Sequence, residues 1–119
     1  MSANPPEQKY KDIIDVLVVT CQVGQGQIAA QRARRGLWNL NATSSHLPDE
    51  HSINELLKAL PANDREAIAT MLTREFEAGV FEVLKTLGQH NVSPFENSFE
   101  GSAYEDFVGR LGGWQWPKA

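Results

Sequence analysis

The chain has 119 residues, enough for one domain with a core of its own and too few for several. With 41% hydrophobic and 22% charged residues it has the composition of a folded globular protein, which excludes a disordered polymer. The formal charge is −4, with five basic against three acidic side chains in residues 1–48 and six against twelve in 49–119, and an acidic body of this kind speaks against general nucleic-acid binding.

Met1 to Glu7 is polar and carries prolines, so no signal peptide is expected. The longest apolar run, Val16 to Val19, is too short to span a bilayer. The single Cys21 excludes an intrachain disulfide and a cysteine-rich metal site and fits a reducing compartment, so the expected location is the cytoplasm. Residues 1–6 form an extended leader, with Pro5 and Pro6 suited to a helix start. Tyr10, Ile13, Ile14, Leu17, Val18 and Cys21 recur at gaps of three and four, which predicts a helix from Gln8 to about Cys21. The β-branched run within Asp15–Val23 offers a competing strand. The earlier start of the helical period favours the helix.

Gly24 and Gly26 break this element. Gln27 to Arg35 then forms one or two helical turns or an ordered loop, with Ile28 and Ala29 as its core contacts, and Gly36 ends it. Leu37, Trp38 and Leu40 read as a plug on the core, and residues 41–51 as the longest loop. Ser52-Ile-Asn-Glu55 is a capping box for a short helix, Ile53 to Leu60. The longest element runs from Asn63, its N-cap, to Gly88, its C-cap. Its apolar stripe is Ile68, Met71, Leu72, Phe76, Gly79, Val80, Val83, Leu84 and Leu87, while Arg65, Glu66, Arg74, Glu75, Glu77, Glu82 and Lys85 turn mostly toward water. Gly79 is the place for a close helix crossing, and Phe81, off the stripe, serves a second contact. Val92 to Phe99 has room for a short strand without a partner. A second capping box, Ser102-Ala-Tyr-Glu105, opens a helix over Ala103–Leu111 that Gly112 and Gly113 stop, and residues 112–119 form an aromatic tail. The expected fold is therefore all-α: a single domain of four or five helices around the long one, with at most a minor β element.

The segment from Arg65 through Val83-Leu84, followed by Pro94-Phe95, Tyr104-Glu-Asp106-Phe107-Val108 and Trp116-Pro117, resembles a family of small uncharacterised bacterial proteins over residues 52–117. The resemblance implies a small bacterial cytosolic protein and carries over no catalytic residue.

Several patterns bear on chemistry. Gly24-Gln-Gly26-Gln-Ile-Ala29 fits a loose dinucleotide fingerprint, but it has one candidate strand and no second βα unit, so a helix-terminating turn is the simpler account. Arg32, Arg34 and Arg35 form the one basic cluster. Guanidinium groups suit phosphates and carboxylates, and a solvated helix face pairing with the acidic body is the plainer use. His46, His51 and His90 have no zinc-ligand spacing, and no metal or cofactor is expected. Glu75 and Glu82, with Asp106, would do acid–base work only if burial split their pKa values. Trp114 and Trp116 are either a docked chain end or a partner-binding surface. The functional expectation is a non-catalytic binding or regulatory protein that acts through protein–protein contact, self-association to a homodimer included, with Arg32, Arg34, Arg35, Trp114 and Trp116 as binding residues. The alternatives are a nucleotide or anionic ligand near Gly24–Arg35 and nucleic-acid contact through the arginines.

Overall fold

The computed structural model describes residues 5–118. Its regular structure is helical: α1 (Pro5–Val23), a 3-10 turn (Gln25–Gln27), α2 (Ile28–Arg35), α3 (Pro48–Ala59), α4 (Ala62–Gln89) and α5 (Ala103–Leu111). No strand occurs among the described residues. The all-α expectation holds, the β-branched run lies inside α1, and Val92 to Phe99 is a series of turns and not a strand. The 3-10 turn follows a helix, so the strand-to-helix turn that a dinucleotide fingerprint needs is not formed at Gly24–Gly26. The chain divides into two compact units: a terminal unit, Met1–Gln22 with Glu77–Ala119, and a middle unit, Val23–Phe76. Of the expected leader, residues 1–4 lie outside the described residues, and α1 begins at Pro5.

In the terminal unit, α1 buries Tyr10, Ile14, Val18 and Cys21, one residue per turn, as the three-four spacing requires. Leu84, Ala103 and Phe107 complete that core. Val16 and Val19, on the other side of α1, remain exposed. By length and composition alone, the run Pro6–Arg35 is apolar enough to cross a membrane, as core helices of globular proteins also are. α5 starts where its capping box places it: the Ser102 hydroxyl accepts from the Glu105 amide at 3.3 Å and donates to the Glu105 carboxylate at 2.9 Å. The end of α4 differs from expectation. Gly88 lies within the helix, and Asn91 takes the left-handed conformation (φ 55°) while the Val92 amide bonds the Leu87 carbonyl.

The long stripe of α4 is also only partly buried. Met71 is 64% and Val83 59% exposed, and a Cβ at Gly79 would meet nothing within 4 Å, so no helix crosses there. Phe81 does find a second contact, edge-on to Tyr104 with ring centroids 4.7 Å apart.

The middle unit is built on small residues. Ala30, Ala33, Leu57 and Ala69 are buried together, with Trp38, Ile68 and Leu72 packed against them. The core contacts of α2 are therefore Ala30 and Ala33, and not Ile28, which is 37% exposed. Methyl side chains let helices approach closely, where an isoleucine would hold them apart. Of the expected plug only Trp38 packs inward, while Leu40 is 81% exposed. Asn54 pins this segment by accepting from the Trp38 and Asn39 amides at 2.7 and 2.9 Å and donating to the Asn39 carbonyl at 2.7 Å. α3 starts at Pro48, four residues before the expected capping box, so part of the expected loop 41–51 is helical. Proline at a helix start loses no hydrogen bond, and Asp49 and Glu50 suit the positive end of the helix. Ser52 consequently sits inside the helix and donates back to the Pro48 carbonyl at 3.1 Å.

Two neighbouring alanines of α4 test this packing. Ala69 is fully buried and Ala67 is exposed. Ala69→Leu should cost about 1–3 kcal/mol by overpacking, and Ala67→Leu should stay within about 0.5 kcal/mol of wild type. Urea denaturation of the two variants measures the contrast, and equal costs would contradict it.

Candidate binding sites

The terminal unit carries a pocket of about 310 Å³. Pro6, Pro94 and the rings of Tyr10 and Phe99 form its apolar walls, and Glu7, Glu96, Asn97 and Ser98 supply polar groups. Its position is set by a buried carboxylate. Asp106, fully buried on α5, accepts from the Tyr10 hydroxyl at 2.5 Å and the Phe99 amide at 3.0 Å through one oxygen, and from the Glu100 amide at 2.8 Å through the other. One side chain thus joins α1, α5 and the segment that lines the pocket. Burial, and then the hydrogen bond and negative charge of Asp106, push the Tyr10 hydroxyl far above the usual tyrosine range. Tyr10 therefore stays protonated and acts as a donor within the fold, which suits it to shaping a surface and not to acid–base work.

Behind the pocket stands an aromatic cluster. Tyr10 stacks on Phe99 at 6.2 Å and meets Phe95 and Trp116 edge-on at 6.2 and 6.0 Å, and Trp116 lies 5.3 Å from Phe99. The tail is tied down by polar bonds. The Trp116 indole donates to Asp15 at 3.0 Å, Arg110 pairs with Asp15 at 2.7 Å, and the same arginine donates to the Trp114 carbonyl at 2.5 Å. Trp114 and Trp116 are half-buried and pack against each other at 5.2 Å. The structure thus places both tryptophans against the terminal unit, with Trp116 touching two residues that line the pocket.

The arginine cluster lies in the middle unit, in the last turn of α2, where positive charge complements the helix dipole. Its members have different surroundings. Arg34 pairs with Glu66 at 2.8 Å on the surface, a hydrogen bond that raises the arginine pKa and lowers that of the glutamate. Arg32 lies over the Trp38 ring at 5.6 Å, and Arg35 is exposed. A fourth arginine belongs to this picture. Arg65, expected to face water, is half-buried, and its Nε is buried without a hydrogen-bond partner.

Other candidates fall elsewhere. Among the described residues no group of three His, Cys, Asp or Glu side chains is arranged to hold a metal. Cys21 is fully buried, and burial followed by the charge of Glu77 pushes its thiol up, away from the reactive thiolate form. Glu82 is exposed, so burial does not set it apart as an acid–base partner. Sequence reasoning missed Tyr10 and Arg65 as site residues, and weighed Asp106 only as an acid–base companion of Glu75 and Glu82. The one signal for Asp106 is an acidic residue directly before the apolar Phe107-Val108 pair of α5.

The Tyr10 bond has a pH signature. Near neutral pH, Tyr10→Phe should cost about 1–2 kcal/mol. An unfolded tyrosine ionises at about pH 10, and the folded hydroxyl ionises higher. Its contribution is therefore whole below that pH and is lost as pH rises beyond it. Urea titrations of wild type and Tyr10→Phe should show a stability gap at pH 7 that narrows by about 1.4 kcal/mol per pH unit above 10. A gap that stays constant or widens would contradict the bond.

Neither the curated proteins nor the solved structures hold a match to this chain. A family model described as a family of unknown function (DUF6547) matches residues 3–118, nearly the whole chain and more than the 52–117 over which the resemblance is legible in the motifs. The chain belongs to that family of unknown function.

Proposed function

We propose that this is a non-catalytic binding protein of the bacterial cytoplasm, and that it works by taking a short segment of a protein partner, from another chain or a second copy of this one, into the pocket beside Tyr10. The observation that carries the reading is the pocket itself: aromatic and proline walls on a floor held by the Tyr10–Asp106 bond. Its 310 Å³ lies at the lower end of the range for ligand sites. That volume accommodates one or two side chains and is small for a dinucleotide. Walls of rings and prolines with a few polar groups at the rim resemble the grooves that receive extended peptide segments, in which flat apolar faces grip side chains and polar groups meet the backbone. Tyr10, held protonated, is a donor that shapes the pocket and is not itself a general base.

Asn97, exposed at the rim, allows a direct test. Peptides selected from a displayed random library against the wild-type protein should lose at least about tenfold in affinity, or 1.4 kcal/mol, for a folded Asn97→Trp variant that fills the pocket. They should bind the Arg32→Ala/Arg34→Ala/Arg35→Ala protein as well as wild type. Peptides that bind Asn97→Trp and wild type alike would overturn the reading, and sedimentation of the free chain tells a second copy from a foreign partner.

A further inference from the structure

We infer that the pocket beside Tyr10 selects a basic residue, a lysine or arginine carried on an exposed segment of another protein. This deepens the peptide-binding function proposed above and rests on it. Room and attraction coincide at this one place. The cavity holds about 310 Å³, and Glu7 and Glu96 are both among the described residues that line it, whereas no Lys, Arg or His is. Glu7 is engaged within the chain. Glu96 is exposed and takes part in neither ion pair found among the described residues, so its carboxylate stands at the rim ready for a cation. A third negative charge lies behind the wall. Asp106 accepts from the hydroxyl of the lining Tyr10 at 2.5 Å, and its other partners are the neutral amides of Phe99 and Glu100, so no counter-ion cancels its charge.

The walls suit the rest of such a side chain. Lysine and arginine lay their methylene stems along apolar surface and keep the charged head at a polar edge. Here the prolines and rings would take the stem, and the carboxylates the head. Ring faces also attract cations. The chain supplies its own precedent: the Lys11 ammonium lies 5.2 Å from the centroid of Phe99, which lines the pocket. Lys11 does not line the cavity itself, and its one positive charge stands against the three carboxylates of Glu7, Glu96 and Asp106. The wider field has the same sign. The terminal unit holds five basic against nine acidic side chains and carries the whole net charge of −4. A cleft lined by one sign of charge concentrates ligands of the other sign. A second copy of the chain is disfavoured as the occupant, because like-charged copies repel. Charge complementarity therefore points to a basic segment of a foreign protein.

Peptides selected from the displayed random library, and shown to depend on the pocket by their loss of affinity for Asn97→Trp, are the probes. They should share a lysine or arginine. Replacing that residue with methionine, which keeps an apolar stem and drops the charge, should weaken binding to the wild-type protein about tenfold. Against Glu96→Gln the same replacement should cost about threefold, because one of the two attractions is already gone. The peptide substitution leaves the protein untouched, and Glu96 is exposed in a turn, so neither measurement depends on a disturbed fold. Pocket-dependent peptides that share no basic residue, or that lose nothing when it becomes methionine, would overturn the inference and leave the peptide-binding function standing. An equal loss against wild type and Glu96→Gln would overturn it as well. Peptides that bind Asn97→Trp and wild type alike would overturn both. A dimer in solution that Asn97→Trp dissociates would put the chain's own segment in the pocket and overturn the choice of a foreign partner.

Discussion

The carboxylate of Asp106 is taken wholly out of water, and burying a charge without compensation is among the costliest events in folding. Three donors offset that cost: the Tyr10 hydroxyl and the amides of Phe99 and Glu100. They come from a helix at one end of the chain and from a turn segment near the other, with Tyr10 lying 96 residues from Asp106. The same bond that keeps Asp106 satisfied keeps Tyr10 protonated and sets its ring against Phe99 and Trp116. The aromatic cluster, the docking of the tail through Asp15 and the walls of the pocket all follow from where those rings are held.

The middle unit solves a different problem with different means. Its core is assembled from alanines, which contribute little area each but allow close approach of backbones, and Leu57 and Trp38 supply the bulk. Its polar groups are well matched at the Asn54 bridge and the Arg34–Glu66 pair, and unmatched at Arg65. Asp106 and Arg65 are thus opposites. The carboxylate is buried and fully partnered by the chain, which marks it as structural. The guanidinium has a buried nitrogen that the chain leaves unpartnered, a local cost that the rest of the middle unit offsets.

Much of the fold was legible because it is written in local spacing. The three-four recurrence of Tyr10, Ile14, Val18 and Cys21 identified α1 against the β-branched run, and Ser102 with Glu105 marked the start of α5 to the residue. Where two local signals competed, the sequence was ambiguous. Ser52 and Glu55 have capping-box spacing, but Pro48, Asp49 and Glu50 start α3 a turn earlier, and no local rule ranks the two. The stripe of α4 overstated burial at Met71, Gly79 and Val83, because periodicity identifies an apolar face without showing what covers it. The sites were less legible than the fold. Arg32, Arg34 and Arg35 stood out by clustering, whereas Arg65 looked like any solvated helix residue, and Asp106 acquires its role only from Tyr10 at the far end of the chain.

Asp106→Asn is the most direct test of whether the buried carboxylate organises the terminal unit. The substitution keeps the size of the side chain but replaces one acceptor oxygen with a donor, which cannot serve the donors now facing it. Urea denaturation combined with hydrogen exchange should show a loss of about 2–4 kcal/mol, with protection of the Phe99 and Glu100 amides reduced more than the global loss accounts for. An Asp106→Asn protein that unfolds at the wild-type midpoint, with both amides still protected, would contradict this account.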